Sequence, residues 1–359
     1  MRNDDLNTTS VSASPGPGSK DSDRMWPIAH ALYDALTPWR GRKAFVVPIV
    51  DESGHPLGNN GDELMMKVFW HILAQAGVNT TEDIQAADVL FVPPNGALLQ
   101  MYKFPELLQK YTLANLRAPM IIFPSSANFP TKDPSFIFEK RSSEVTWILR
   151  EQYSFDHLRK QWGDRLADVG CELVLDHDVV ASHSDFVRGL FGQVDHGRPL
   201  VGARKDVERN STSPRGAAPH STDFSRSLTT LKSALMHHVA TALPYGRFYT
   251  GLVRALRAKA QKEAGAALIK RLPEDIRPEF RSGGVMHRDV SSKHQVTFNQ
   301  YLRTIANAGP VATDRLHIAL PAAILGKDVW LVEGGYHKAT GVVNRSASAV
   351  PNLRLVSNT

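Results

Sequence analysis

Short, continuous apolar runs alternate along most of the chain with longer stretches whose apolar residues recur at helical spacing. From Lys43 the run AFVVPIV is bounded by polar residues, the form taken by a strand buried on both faces. After the loop DESGHPLGNNGD, the stretch ELMMKVFWHILAQAG is helically spaced and stops at Gly77. ADVLFVPP predicts a second strand, FPELLQKYTLANLR a helix, PMIIFPSS a strand, SSEVTWILREQYSFDHLRKQWG a long helix and CELVLDHD a strand. A second unit starts near Pro199 with PLVGARKD. It continues through a basic helical region and VTFNQYLRTIANAG to the strand PVATD, the apolar helix RLHIALPAAILG and the strand DVWLVEGG.

Strand followed by helix, repeated, predicts parallel sheets covered by helices. The expected fold class is α/β, with two Rossmann-like domains whose strand carboxyl ends meet across a cleft. The boundaries read as a disordered tail over 1–25, an N-terminal domain over 26–197 and a C-terminal domain over 198–335. The latter carries a basic helical insertion at about 225–275, and a carboxyl-terminal segment follows over 336–359. The tail contains SASPGPGS, too poor in apolar residues to order itself. No internal repeat is visible.

Composition narrows the class. Of 359 residues, 42% are hydrophobic and 22% charged, the balance of a globular protein. The longest apolar runs fall well short of the roughly 18 residues a membrane-spanning helix needs. MRNDDLNTTS has no apolar core, so no secretory signal is expected and the expected location is cytoplasmic. The single cysteine, Cys171, excludes an intramolecular disulfide and a cysteine-cluster metal site. No metal-ligand spacing joins His71, His237 or His238 to carboxylates, so no metal is expected. Net charge is +6. Residues 226–271 hold nine Lys and Arg against Glu263 alone, a stretch suited to an anionic membrane surface. It reads equally as a solvated helix face. No nucleic-acid-binding module accompanies the charge, and no nucleic-acid partner is expected.

The chemistry concentrates at Thr313-Asp314-Arg315-Leu316-His317, where a strand runs straight into a helix. The amino terminus of a helix offers unpaired N–H groups and the positive end of its dipole to a phosphate or carboxylate. Arg315 adds a bidentate fork. Asp314 and His317 stand three apart, so a helical first turn would bring them together and let the carboxylate fix the imidazole tautomer. The alternative is a plain helix cap at Thr313 or Asp314 with a core histidine. Asp62 likewise reads either as the cap of the first helix or as a functional acid.

Thr313-Asp314-Arg315-Leu316-His317, followed by the apolar helix, Gly326, the strand Val329 to Val332 and Tyr336-His337-Lys338, resembles the carboxyl-terminal signature of polysaccharide pyruvyl transferases. Gly335 and His337 stand where that family usually has Ser and Gly. Gly58-Asn59-Asn60-Gly61-Asp62-Glu63, Phe123-Pro124-Ser125-Ser126 and Ala203-Arg204-Lys205-Asp206 resemble three further motifs of the family in the same order. Ser125 replaces its usual Gln.

The resemblance implies the architecture of B-type glycosyltransferases and formation of a cyclic ketal from phosphoenolpyruvate on a sugar, with no cofactor. It implies donor binding by Arg204, Lys205, Thr313, Asp314, Arg315, Leu316, His317 and Lys338, with His317 as general acid. Asn60, Gly61, Asp62, Ser125 and Ser126 fall on the acceptor side, with Asp62 or Glu63 acting on sugar hydroxyls. The acceptor implied is a lipid-linked oligosaccharide at the inner face of the cell membrane. A glycosyltransferase using a nucleotide sugar shares nearly all these features. A non-enzymatic basic protein of membrane surfaces or nucleic acids is the alternative of another class.

Overall fold

The computed structural model describes residues 25–50, 58–204, 246–281, 284–293, 296–334 and 337–357. Most of the tail read at 1–25, Lys205, Gly335, Tyr336 and much of the basic segment lie outside the described residues.

The first unit opens with α1 (His30–Leu36), β1 (Lys43–Val46) and α2 (Asn60–Ala76), followed by β2 (Asn79–Thr81), β3 (Val89–Val92) and β4 (Leu98–Leu99). Then come α3 (Phe104–Ala114), β5 (Met120–Ser125), β6 (Ala127–Asn128), β7 (Val145–Leu149), α4 (Gln152–Asp168), β8 (Cys171–Leu175), α5 (Val179–Ser182) and α6 (Ser184–Phe191). Six strands pair in parallel in the order β2-β1-β3-β5-β7-β8, while β4 and β6 form a separate short ladder. All residues of β3 and β5 are buried, as continuous apolar runs covered on both faces should be.

The second unit contains β9 (Leu200–Gly202), α7 (Gly246–Ile269), β10 (Met286–His287), α8 (Phe298–Ala306) and β11 (Val311–Thr313). α9 (Leu316–Ile324), β12 (Val329–Val332), α10 (Lys338–Ser346) and β13 (Leu353–Val356) complete it. Its strands are also parallel, ordered β10-β9-β11-β12-β13. The protein is therefore α/β with two parallel sheets. Among the described residues no helix is long and apolar enough to cross a membrane.

One element departs from the sequence expectation. The segment read as a single long helix, SSEVTWILREQYSFDHLRKQWG, begins as strand β7 and becomes helix α4 only at Gln152. Val-Thr-Trp-Ile-Leu is β-branched and aromatic and fits a pleated, buried surface. Glu151 then caps the helix, its carboxylate accepting from the Ser154 N–H at 2.9 Å.

The two units share an interior. Leu64, Met65 and Val68 of α2 belong to one buried apolar cluster with Val290, Tyr301, Leu316 and Ile318 of the second unit. Asn60, wholly buried, pins the start of α2 to that unit: its amide donates to the Val290 carbonyl at 2.9 Å and the Val296 carbonyl at 3.0 Å. Its N–H donates to the Ser291 carbonyl at 2.8 Å.

Candidate functional site

Strand β7 delivers Arg150 at its carboxyl end, and the whole side chain is buried. Its Nε donates to Ser126 Oγ at 2.9 Å, and its Nη1 donates to Asp178 Oδ2 at 2.8 Å and faces Met65 Sδ at 3.4 Å. Its Nη2 has no hydrogen-bond partner among the described residues. A buried guanidinium nitrogen without an acceptor is costly, so this one marks a place where an acceptor can dock. Beside it lies Gly96, on the loop after β3. A Cβ there would overlap Lys338 Nζ and lie 3.3 Å from Arg150 Nη2. The missing side chain lets two cations from different units converge. Lys338 is the first residue of α10, where backbone N–H groups add positive potential.

His317 stands on the other side of Asp178. Its Nε2 is buried and lies 3.5 Å from Asp178 Oδ2, an ion-pair distance longer than a well-formed hydrogen bond. The backbone around it is unusual. Arg315 is extended (φ −105°, ψ 114°), and His317 leaves the helical region (φ −85°, ψ 18°), entering the bridge region common at active sites. Pro321, four residues on, has no N–H to give the His317 carbonyl. The hydroxyl of buried Tyr301 donates to that carbonyl instead. Burial pushes the Tyr301 pKa up, with the charge of Asp62 acting in the same direction. Behind His317, Gly61 allows the first turn of α2 to approach: a Cβ at Gly61 would stand 2.6 Å from His317 Cβ.

The carboxylate facing His317 is thus Asp178, not Asp314. The non-helical backbone from Arg315 to His317 breaks the three-residue spacing that would have joined Asp314 to the imidazole. Asp314 Oδ1 instead accepts the Arg204 N–H at 2.8 Å across the ends of β9 and β11. Burial raises the Asp314 pKa to about 6, although the Arg204 N–H, Arg315 and Arg204 all act to lower it. Burial also opposes ionisation of Asp178, but contacts with His317 and Arg150 outweigh it and hold that carboxyl below the ordinary range.

The other residues singled out from sequence fall as follows. Thr313 Oγ1 donates to the Gly202 carbonyl at 2.6 Å and accepts the Arg315 N–H at 3.0 Å. The Arg315 guanidinium pairs with Asp289 at 2.7 Å, and Leu316 is core. Asp62 forms a capping box with Asn59, accepting its N–H at 2.7 Å, and Glu63 pairs with Lys293 at 3.2 Å. Ser125 Oγ accepts the Trp147 indole N–H at 3.0 Å, whereas Ser126 orients Arg150. The structure therefore brings His317 and Lys338 toward Arg150 and Asp178, neither of which the motifs single out. The sequence signal for Arg150 was a charged residue directly after the apolar strand VTWIL, whereas Asp178 stands third after CELVL, behind Asp176 and His177, with nothing local to single it out.

No family model matches the chain, and no curated protein matches it. Among solved structures it is similar to an uncharacterized protein from Klebsiella pneumoniae subsp. pneumoniae NTUH-K2044, at 13% identity and a TM-score of 0.51, covering 91% of this chain and 96% of that one. That likeness concerns the fold alone.

Proposed function

We propose that the chain is a pyruvyl transferase that places the three-carbon unit of phosphoenolpyruvate on a sugar as a cyclic ketal. The observation that carries this reading is the buried, unpartnered Nη2 of Arg150 beside Lys338 Nζ at Gly96, with His317 across Asp178. Phosphoenolpyruvate bears a carboxylate and a phosphate close together, and a guanidinium fork with a nearby ammonium is suited to such an anion. The architecture that goes with the reading is that of B-type glycosyltransferases. Two parallel sheets whose carboxyl ends carry Arg150 and Asp178 on one side and Arg204, His317 and Lys338 on the other support it.

In the proposed reaction one sugar hydroxyl bonds to C2 as a proton is delivered to C3. A second hydroxyl of the same sugar then bonds to C2, and phosphate departs with the C–O electron pair. The two hydroxyl protons leave to a base and to the departing phosphate. His317 delivers the proton to C3, and Arg150 and Lys338 stabilise charge growing on the phosphate. Arg204 lies at the same strand ends. Arg315 pairs with Asp289 through Nη2, while its buried Nε has no hydrogen-bond partner among the described residues. No cofactor or metal enters the scheme. We place the acceptor on a membrane-linked oligosaccharide, with residues 226–271 meeting an anionic surface. Unchanged sedimentation with anionic vesicles after charge reversal of Arg254, Arg257 and Lys259 would remove that part.

The test is calorimetric titration with phosphoenolpyruvate and with a panel of nucleotide sugars. Saturable phosphoenolpyruvate binding is expected, weakened by about 2 kcal/mol on Lys338→Gln through loss of a charge-assisted contact. Binding of a nucleotide sugar with none of phosphoenolpyruvate would overturn the reading in favour of a glycosyltransferase.

A further inference from the structure

We propose that Asp178 is the positioning residue for His317, fixing which imidazole nitrogen carries the proton and which is presented to the substrate. The inference deepens the reading of His317 as the proton-delivering group and rests on it for its catalytic meaning, though not for its geometry.

Asp178 is built as a fixed carboxylate. It is wholly buried in the turn between β8 and α5. Its Oδ1 accepts the Val180 N–H at 2.9 Å, and its own N–H donates to Ser346 Oγ of α10 at 3.1 Å. The Arg150 guanidinium holds Oδ2 at 2.8 Å from one side, and His317 Nε2 lies 3.5 Å from the same oxygen. His317 Nε2 has no hydrogen-bond partner within ordinary reach among the described residues, and the charge nearest to it is Asp178 Oδ2 at 3.5 Å. An ionised carboxylate only accepts, so its field favours the proton on that nitrogen. A neutral His317 then carries its proton on Nε2 and leaves Nδ1 as the acceptor. The other ionisable groups near Asp178 are His183, whose Nδ1 lies 3.0 Å from the Val179 carbonyl and whose pKa burial lowers to about 4, and His177, whose Nδ1 lies 3.3 Å from Ser346 Oγ. Burial, reinforced by Arg345, lowers the His177 pKa to about 4, so it stays neutral and does not compete for the carboxylate.

The arrangement also ties the two ends of the site together. One carboxylate restrains Arg150, which belongs to the first sheet, and His317, which belongs to the second. Of the two side chains it restrains, Arg150 keeps its Nη2 without a hydrogen-bond partner among the described residues.

The experiment is heteronuclear NMR of the full-length chain labelled with 15N-histidine, at about pH 8.5 where an ordinary imidazole is neutral. His317→Gln assigns the signal. The wild type and Asp178→Glu, which keeps an acceptor, are expected to show the Nε2–H tautomer. Asp178→Asn, whose amide can donate to Nε2, is expected to move His317 toward the Nδ1–H tautomer. Should Asp178→Asn fail to fold because Arg150 is left buried without its counter-charge, the doubly neutral Arg150→Gln/Asp178→Asn chain is measured instead. An unchanged His317 tautomer in a folded variant lacking the carboxylate overturns the proposal. The tautomer reports on Asp178 whether or not phosphoenolpyruvate binds, so the positioning role and the pyruvyl reading fail separately.

Discussion

The close approach of α2 to His317 makes Gly61→Ala the most informative single substitution. A comfortable carbon–carbon contact is about 3.5–4.0 Å, yet a Cβ at residue 61 would stand 2.6 Å from His317 Cβ and 3.0 Å from Asn59 Oδ1. The shortfall is about 1 Å. Neither neighbour can swing aside cheaply. His317 Cβ is one bond from a backbone held by Tyr301, and Asn59 Oδ1 is engaged by the Gly61 N–H in capping α2. Either α2 or the start of α9 must move. Overpacking of this kind costs about 1–3 kcal/mol, and on the role proposed for His317 a displacement of about 1 Å would cost about 100-fold in turnover. Urea unfolding measures the first effect, and the His317 NMR signal reports the displacement. Gly163→Ala is the control. It lies inside α4 with nothing within 4 Å of its would-be Cβ, and it should gain up to about 1 kcal/mol from helix propensity. The reasoning is refuted if Gly61→Ala unfolds within about 0.5 kcal/mol of wild type and leaves the His317 signal unmoved.

Two further outcomes are expected. Tyr301→Phe removes the hydroxyl that satisfies the His317 carbonyl above Pro321, and stability measured by urea should fall by about 1–3 kcal/mol. For Asp314, the folded-state pKa of about 6 stands above its ordinary 3.8. Its favourable contribution to folding is therefore complete below about pH 3.8 and is lost as pH rises through about 6. Asp314→Asn keeps an oxygen for the Arg204 N–H without the buried charge. It should exceed wild type in stability by about 2–3 kcal/mol near pH 8 and converge with it near pH 4. A constant difference across that range would contradict the assignment.

The elements with strong apolar patterns were legible. ELMMKVFWHILAQAG is α2, and Gly77 at φ 67° ends it as a left-handed cap. PMIIFPSS and DVWLVEGG contain β5 and β12. What escaped was short or polar: β2 is Asn-Thr-Thr, and β10 has two residues, too few for a periodicity to show. The turn from β7 into α4 escaped for another reason. Strand and helix there follow without a loop, so their apolar residues merge into one apparent run. That merging hid Arg150, because a charged residue inside a helix looks solvated, whereas the same residue at the end of a buried strand points into the molecule. Asp62 and Thr313 were visible as motif residues, but sequence could not show that their side chains are occupied with helix and strand ends. Asp178 was beyond reach because its partners are 28 residues before it and 139 after it.

The apolar cluster common to α2 and α9 has a consequence for how the chain behaves as a machine. Each sheet has an apolar cluster of its own on one side, but the third cluster is shared: Leu64, Met65 and Val68 pack into a core that also holds Leu316 and Ile318. Prising the halves apart would wet that surface and free the Asn60 amide from two carbonyls at once. The molecule is consequently built to melt in one cooperative step, and a cut between α6 and β9 should leave two pieces that stay together. Motions that leave the shared core intact are then confined to loops, on the timescale of chain segments rather than of swinging halves.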